Sequence, residues 1–364
     1  MSWGRPESPG EKLAAALLQP ASWAYGVAAY ARLQAYSAGL IKCVRPPVPV
    51  ISVGNITCGG TGKTPVTIDI VRRLIAQGYR PAVLSRGYRR KSRNAFTVVG
   101  NGAGVFSSCF ASGDEPLLIA RSAPEAIVIA GSERYKTAHV AVRDYGADVL
   151  VLDDGFQHIR VARDFDLVLV DYNDDPGCDS LLPAGRLREP LVALNRASAI
   201  AITKVPKKYD DLALFKLKEF YASLAPRAQV YSLRFVPECL RSHGEHRESL
   251  SVLQEKKVVA FCGLARPSSF KQTLADLGCE PLRFIEFPDH HWYTSSDVER
   301  LARLCRTSGA DLIVTTEKDL VKLSIPERFK SLFYALAIRT EWLGPQPSFL
   351  FLPKPTKLER AAIK

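Results

Sequence analysis

A short glycine-rich segment constrains this chain more than any other feature of its sequence. Residues 57–64 read T-C-G-G-T-G-K-T, after an apolar run at 48–53 and before a helical pattern at 65–77. Glycines let successive backbone N–H groups point at one anion, and the following helix adds the partial positive charge of its N-terminus. An apolar strand, a turn ending in G-K-T and a helix therefore predict a phosphate-binding loop, although a chance glycine-rich turn is the alternative.

Two side chains at the end of this loop, those of Lys63 and Thr64, can contact a nucleotide and its metal ion. Lys63 is expected to reach the β- and γ-phosphates of ATP, and the hydroxyl of Thr64 to ligate Mg²⁺. The standard pattern has glycine where this chain has Thr57, and the doubled glycine that follows compensates in part. The predicted nucleotide-binding residues are Thr57, Cys58, Gly59, Gly60, Thr61, Gly62, Lys63 and Thr64.

Apolar runs alternate with helical patterns through the first half of the chain. They predict strands at 81–85, 126–130, 149–153, 167–171 and 199–203, and a helix around 132–145. Strands that alternate with helices imply an α/β fold with a doubly wound, mostly parallel sheet, here of the P-loop NTPase-like type.

The length of 364 residues favours two domains. We predict an N-terminal amphipathic helix in residues 1–45, a P-loop core domain at 46–204 and a second, smaller α/β domain at 205–364. The composition changes after Lys204. In the second domain we expect helices at 212–223 and 270–276, strands at 257–262 and 311–315, and an exposed loop at 241–249.

Residues 11–42 have a helical pattern with a predicted break near Pro20. Apolar residues recur at steps of three or four, which places on one face Trp23, Val27, Tyr30, Leu33, Tyr36 and Leu40. Cations lie nearby, so the helix could lie in a membrane interface, or it could pack on its own domain. No window holds eighteen uninterrupted apolar residues, so we expect no transmembrane span.

The net charge of +12, from 49 Lys and Arg against 37 Asp and Glu, suggests acidic partners such as nucleotides or anionic lipids. A merely soluble basic protein is the alternative. We expect no nucleic-acid partner, because the chain has no basic run interleaved with aromatic residues.

Acidic residues occur at two positions suited to chemistry. The apolar strand at 149–153 ends in Asp153 and Asp154, which would hold Mg²⁺ beside the phosphate loop or simply form a strand-terminal turn. Asp114 lies in the turn G-D-E-P before an apolar helix, where an acid either favours the helix start or acts in catalysis.

Basic and imidazole side chains supply further candidates. Arg134 begins a helical pattern and could hold a phosphate oxygen or lie exposed. Residues 287–293, F-P-D-H-H-W-Y, contain His290 and His291, either of which could orient a catalytic carboxylate. A zinc site would need further ligands, and a packed aromatic turn is the alternative.

Taken together, these motifs resemble the tetraacyldisaccharide 4′-kinase family of lipid A biosynthesis. Nine motifs occur in the family's order between residues 52 and 319: V-G-N-I-T-C-G-G-T-G-K-T-P, S-R-G-Y, G-D-E-P, R-Y, D-D-G-F-Q-H, L-L-P-A-G-x-L-R-E-P, F-x-G-x-A-R-P, F-P-D-H-H and T-T-E-K-D. Cys58 departs from the small apolar residue expected there. T-T-E-K-D belongs to the pattern, but we assign it no physical role from the sequence.

The resemblance implies a kinase that transfers the γ-phosphate of ATP, with Mg²⁺, to the 4′-hydroxyl of a tetraacyl glucosamine disaccharide 1-phosphate. It implies that Asp114 is the general base, His290 its partner, and Arg134 a stabiliser of the transferring phosphate. It makes Asp153 and Asp154 the carboxylates on the Mg²⁺ side. It further implies a cleft between two domains and peripheral attachment to the cytoplasmic face of the bacterial inner membrane.

Two other classes of protein could carry a loop of this kind. Partitioning or metal-chaperone ATPases carry G-G-x-G-K-T, but they usually have a lysine near the position of Thr57. A nucleotide-dependent membrane-binding module would leave the G-D-E-P and F-P-D-H-H turns without a function.

Overall fold

The computed structural model describes residues 8–174, 179–243 and 246–348. Residues 1–7 and 349–364 of the predicted first and last domains lie outside this part. The helices are α1 (Pro9–Ser37), α2 (Lys63–Ala76), α3 (Cys109–Ser112), α4 (Asp114–Ser122), α5 (Arg134–Arg143), α6 (Asp211–Leu224), α7 (Val252–Glu255), α8 (Pro267–Asp276), α9 (Ser295–Thr307) and α10 (Glu317–Leu320). The strands are β1 (Val50–Asn55), β2 (Pro81–Ser85), β3 (Phe96–Asn101), β4 (Ile127–Gly131), β5 (Val149–Asp153), β6 (Phe165–Asp171), β7 (Ala199–Thr203), β8 (Gln229–Ser242), β9 (Arg247–Glu248), β10 (Val258–Cys262), β11 (Arg283–Glu286), β12 (Leu312–Thr316) and β13 (Phe333–Trp342).

The strands form one mostly parallel sheet. Their order is β11-β10-β12-β13-β8-β7-β6-β1-β5-β2-β4-β3, and β9 pairs with β8. The antiparallel pairs are β3 with β4, β8 with β13, and β8 with β9. The predicted α/β class and mostly parallel sheet are therefore confirmed.

The centre of the sheet positions the phosphate loop. Strand β1 pairs in parallel with β5 and β6, and Val53 lies opposite Asp153. Strands β1, β5 and β6 are buried along their whole length, as apolar strands covered on both faces should be. Because parallel strands end at the same edge, the loop after β1 and the aspartates after β5 lie together.

Strand β8 runs through both halves of the sheet. Its first residues pair in parallel with β7, and the segment from Leu233 onwards pairs antiparallel with β13. The division into domains at 1–45, 46–204 and 205–364 remains a prediction.

Two local predictions are wrong. α1 is one helix with Pro20 inside it, not a helix broken at that residue. Much of α1 is exposed, so water can hydrate the carbonyl group that the proline leaves unpaired. Residues 241–249 are not simply a loop, because Arg241 pairs with Arg247 in the ladder between β8 and β9. Short charged hairpins of this kind are common at sheet edges.

Candidate active site

The start of the phosphate loop is fixed to a neighbouring loop. The amide of Cys58 donates to the carbonyl of Arg186 over 2.7 Å, and the amide of Arg188 donates to the carbonyl of Ile56 over 2.8 Å. Thr57 is buried in an isolated bridge with Leu187. The Cys58 amide is therefore already occupied, and the amides that follow it are the ones available to a phosphate.

Two glycines of the loop, Gly59 and Gly62, have positive φ angles. Gly59 has φ 121° and Gly62 has φ 85°, values that side chains rarely allow. A Cβ atom on Gly59 or Gly60 would meet nothing within 4 Å, whereas one on Gly62 would lie 2.2 Å from Phe235 Cζ. The loop is thus open at its first two glycines and covered by β8 at its last.

The end of the loop leads directly into α2. The carbonyl of Thr61 accepts a hydrogen bond of 2.9 Å from the hydroxyl of Thr203 at the end of β7. Lys63 and Thr64 form the first turn of the helix and are half-buried. Since that turn has backbone N–H groups without helical partners, it is suited to binding an anion.

Asp154 is surrounded by cations. Its carboxylate lies 3.6 Å from Lys63 Nζ and accepts hydrogen bonds of 2.8 and 3.3 Å from the guanidinium of Arg188. Burial alone would raise the pKa of Asp154, but Lys63 and Arg188 outweigh it and hold the pKa well below its usual range. Arg188 also donates to Asn55 at the end of β1. Arg188 is not among the site residues that the sequence predicts, although it binds Asp154.

Asp153 has a different environment. It is buried, and its two oxygens accept hydrogen bonds from the hydroxyls of Thr67 (3.3 Å) and Ser85 (3.0 Å). Burial and the neighbouring charge of Asp154 raise the pKa of Asp153. A buried carboxylate whose hydrogen bonds come from neutral hydroxyl groups is suited to binding a metal cation that enters the site together with a ligand.

Arg134 lies at the start of α5 and is buried. Its Nη2 donates to the backbone carbonyl of Asp153 over 2.7 Å, which fixes the turn between Asp153 and Asp154. Its Nε has no hydrogen-bond partner among the described residues. The exposed alternative for Arg134 is therefore wrong, and its role toward phosphate stays a prediction.

Asp114 and His290 meet although they are 176 residues apart. His290 Nδ1 lies 3.0 Å from Asp114 Oδ2. Asp114 is buried at the start of α4, and His290 has φ 58° in the turn after β11. Burial would raise the pKa of Asp114, but the His290 hydrogen bond and the charge of Lys318 lower it, so the carboxylate is ionised at neutral pH.

The neighbouring histidine points elsewhere. His291 Nε2 lies 3.3 Å from Asp297 Oδ2, and its ring packs 4.8 Å from Phe287. His290 is therefore the histidine that contacts Asp114. No cluster of three or more His, Cys, Asp or Glu side chains in residues 8–174, 179–243 and 246–348 is arranged to hold a metal, which disfavours a zinc site there.

Glu115 interacts electrostatically both with the charged residues beside the phosphate loop and with those beside His290. Burial and the charges of Asp153 and Asp114 raise the pKa of Glu115 to about 7, while Lys318 and Lys63 oppose this. The sequence prediction named the G-D-E-P turn but selected only its aspartate. The signal for Glu115 would have been the clustering of carboxylates, which only the folded chain reveals.

A family model described as Tetraacyldisaccharide-1-P 4'-kinase matches residues 14–352. The chain belongs to this family. A tetraacyldisaccharide 4'-kinase of Anaeromyxobacter sp. (strain Fw109-5) is 42% identical over 322 residues, 88% of this chain and 86% of that protein. A protein of the same name from Syntrophus aciditrophicus (strain SB) is 39% identical and covers 92% of this chain and 91% of its own length.

A solved structure supports the same assignment. LpxK from Aquifex aeolicus, in complex with ATP, matches with a TM-score of 0.73 and 30% identity, covering 91% of this chain and 95% of that one. The predicted family, its kinase activity on a tetraacyldisaccharide 1-phosphate and its place in lipid A biosynthesis are thus confirmed. The ATPase and non-catalytic alternatives are excluded by the same finding.

Proposed function

We propose that this family member transfers the γ-phosphate of ATP to the 4′-hydroxyl of its lipid acceptor between the phosphate loop and Asp114. The observation that carries the proposal is the 3.0 Å contact between Asp114 and His290. Beside it, Glu115 is under the influence of both Asp114 and the phosphate-loop residue Lys63. The residues proposed to bind ATP and those proposed to act on the lipid acceptor therefore lie close to each other.

On the acceptor side, Asp114 is the general base. Its lowered pKa keeps it ionised, and a fixed carboxylate within reach of a hydroxyl can take its proton during attack. The O–H bond of the acceptor and the bond between the γ-phosphorus and its bridging oxygen break, and a new O–P bond forms. ADP leaves with the electron pair, and the proton passes to Asp114.

On the donor side, cations receive the triphosphate. Lys63 lies 3.6 Å from Asp154, which also forms an ion pair with Arg188. When a phosphate binds, it can attract Lys63, while Arg188 still compensates the negative charge of Asp154. Arg134, whose Nε has no hydrogen-bond partner in the described part of the chain, is the candidate to contact the phosphoryl group being transferred. Fixed positive charges directed at the phosphate are the main source of catalysis in phosphoryl transfer.

The carboxylates beside the loop fit a magnesium ion. Thr64, Asp153 and Asp154 are the predicted ligands, and the charge of Glu115 acts on Asp153 beside them. Mg²⁺ bound to ATP commonly uses one or two carboxylates together with phosphate oxygens and water. When bound, it would neutralise charge on the phosphates.

Exposed aromatic side chains suit a lipid acceptor. Tyr88, Phe106 and Phe110 are all more than half exposed. The rings of Phe110 and Trp292 lie 6.4 Å apart, and Lys91 Nζ lies 5.7 and 5.3 Å from them. Tyr88 also packs 5.8 Å from His290. An apolar surface with a cation beside the proposed base fits acyl chains that carry an anionic headgroup.

The experiment that tests the reaction is a transfer assay. Purified protein is incubated with [γ-³²P]ATP, MgCl₂ and a tetraacyl disaccharide 1-phosphate. We expect label in the lipid, and no label when the acceptor is already phosphorylated at its 4′ position. Label released only as inorganic phosphate would contradict the proposal.

We further propose that α1 attaches the protein to the cytoplasmic face of the inner membrane, where ATP is available. No helix in the described part of the chain combines the length and apolarity required to cross a bilayer. One side of α1 instead contacts the protein: Ser22 hydrogen-bonds the backbone of Leu181 and Ala184, and Tyr25 donates to the carbonyl of Arg188. This side of α1 therefore packs against the rest of the protein, next to the active site.

The other side of α1 is apolar and exposed. Trp23 is 66% exposed and Val27 is 72% exposed, and the same side carries the exposed residues Leu13, Leu17 and Tyr30. Of the apolar face predicted from the sequence, Leu33 packs against the core and Tyr36 is half-buried. An exposed apolar helix face on a protein of net charge +12 fits an interface with anionic lipid.

A double substitution tests this attachment. Trp23→Asp with Val27→Asp is expected to weaken binding to phosphatidylglycerol vesicles at least about tenfold, because two apolar side chains no longer enter the interface. The control, Ala21→Asp with Ala28→Asp, adds the same charge at exposed positions beside that face. Vesicle cosedimentation measures both, and equal losses would contradict a specific apolar contact.

A further inference from the structure

A cavity of about 420 Å³ lies where α2 and α4 end and the β8–β9 hairpin packs beside them. Four arginines line it, and we call it the arginine cavity: Arg72, Arg121, Arg241 and Arg247. Cavities of this volume commonly hold small molecules. Guanidinium groups that converge on one cavity are suited to binding an anion with several oxygens, such as a phosphate.

The arginine cavity is separate from the phosphate loop. Arg72 lies more than two turns beyond Lys63 on α2, about 13 Å along the helix axis. Arg121 lies about two turns beyond Asp114 on α4, or about 10 Å. None of the described residues that line the cavity belongs to the phosphate loop or to the turn after β11. An anion bound there would therefore be additional to the nucleotide.

Two of the arginines lie directly opposite each other on neighbouring strands. Arg241 of β8 pairs with Arg247 of β9 in the antiparallel ladder. Like charges at opposed positions repel each other and destabilise a pair of strands. A negative charge in the cavity would replace this repulsion by attraction of both side chains to the anion. The pairing is thus unfavourable in the empty cavity and favourable in an occupied one.

The carboxylates near the cavity do not balance its arginines. Among the described residues that line it, Glu125 is the one acid. Glu317 of the T-T-E-K-D motif adds an ion pair with Arg241 at 3.6 Å. Burial raises the pKa of Glu317, and the charges of Arg241 and Arg72 oppose this rise. Two guanidinium charges of the lining remain uncompensated by these two acids. A phosphomonoester carries about −1.5 to −2 charge at neutral pH and would match them.

The rest of the wall limits what the phosphate can be attached to. Ile75, Ala76 and Pro124 contribute a small apolar surface. Among the described residues that line the cavity, none is an exposed large apolar side chain of the kind that α1 carries. Acyl chains would have little apolar surface beside this phosphate, whereas a sugar-sized group fits the volume.

We propose that the arginine cavity is a second anion site, which binds the phosphate of a small soluble phosphomonoester. Arg72 donates from Nε and Nη2 to the carbonyl of Ser122, so it fixes the wall and contributes charge. Arg121 and Arg247 are the expected direct contacts, from α4 and from the hairpin. The bound phosphate would connect the hairpin to the two helices that begin at the active site.

Calorimetric titration with glucose 1-phosphate tests the site. The full-length protein is first saturated with Mg²⁺ and a non-hydrolysable ATP analogue, so that the phosphate loop is occupied. We expect glucose 1-phosphate still to bind, and Arg247→Gln and Arg121→Gln each to raise its Kd at least about tenfold. Arg283→Gln is the matched control, because Arg283 is an exposed arginine on β11, outside the arginine cavity.

Thermal unfolding separates a ligand site from a structural role. Without ligand, Arg247→Gln should unfold at the temperature of the parent protein or above it, because one of two opposed charges is removed. With glucose 1-phosphate, the parent should gain more stability than the variant, since the ligand binds its folded state more tightly. A variant that unfolds at a lower temperature without ligand, or does not fold, would overturn the proposal.

The remaining outcomes decide whether the phosphate is bound and where it comes from. Equal Kd values for glucose 1-phosphate in the parent, Arg247→Gln and Arg121→Gln would overturn the site. Vesicles that contain phosphatidic acid, compared with phosphatidylglycerol vesicles of equal charge, offer a phosphomonoester on a lipid. If Arg247→Gln weakens binding to the phosphatidic acid vesicles alone, with glucose 1-phosphate unaffected, the soluble source is overturned in favour of a lipid headgroup.

Discussion

Asp114→Asn is expected to lower kcat for lipid phosphorylation about 10³-fold while ATP affinity stays within about twofold. The amide keeps the size of the side chain but cannot accept the proton of the acceptor hydroxyl. Asp114 contacts His290 and Lys318, and Lys63 and Arg188 surround Asp154 instead. Single-turnover transfer and equilibrium binding of a fluorescent ATP analogue measure the two effects separately.

The matched control is Asp144→Asn. Asp144 is an exposed aspartate of the same half of the chain and forms an ion pair with the adjacent Arg143, so its substitution should leave kcat unchanged. Loss of ATP binding in Asp114→Asn would contradict a role confined to the acceptor.

Glu115→Gln is expected to lower kcat about 10²-fold and to remove a pH dependence near neutrality. The pKa of Glu115 is raised from 4.5 to about 7, so its carboxyl is mostly protonated at pH 6 and mostly ionised at pH 8. Only the ionised form adds a negative charge beside the predicted ligands Asp153 and Asp154. In the parent protein the apparent affinity for Mg²⁺ should therefore rise about tenfold from pH 6 to pH 8.

Titrations of Mg²⁺ at fixed ATP concentration, at both pH values, measure this effect. The Glu115→Gln variant should bind Mg²⁺ weakly at both pH values, because the amide does not titrate. Glu125→Gln is the control, since Glu125 is exposed and precedes β4 on the same half of the chain. An equal rise in Mg²⁺ affinity in Glu115→Gln would show that another group titrates.

Local sequence patterns predict the structure well where one segment contains the whole signal. The glycine-rich loop at 57–64, the apolar strands beside it and the two aspartates after β5 follow from neighbouring residues and from the rule that parallel strands end at one edge. The helical pattern of α1 was also clear. The break predicted at Pro20 was wrong because propensity is a weak guide where a helix can be hydrated and docked.

The family, the kinase chemistry and the phosphate loop follow from the amino-acid sequence alone, because motifs in order identify a lineage and a strand–loop–helix unit forms locally. The contact of His290 with Asp114 is visible only in the folded chain, since His290 and His291 are adjacent and chemically identical. The tertiary structure alone brings Arg188 to Asp154 and Lys318 to His290. Such contacts join segments far apart in the chain, and their geometry depends on how the whole sheet and its loops pack.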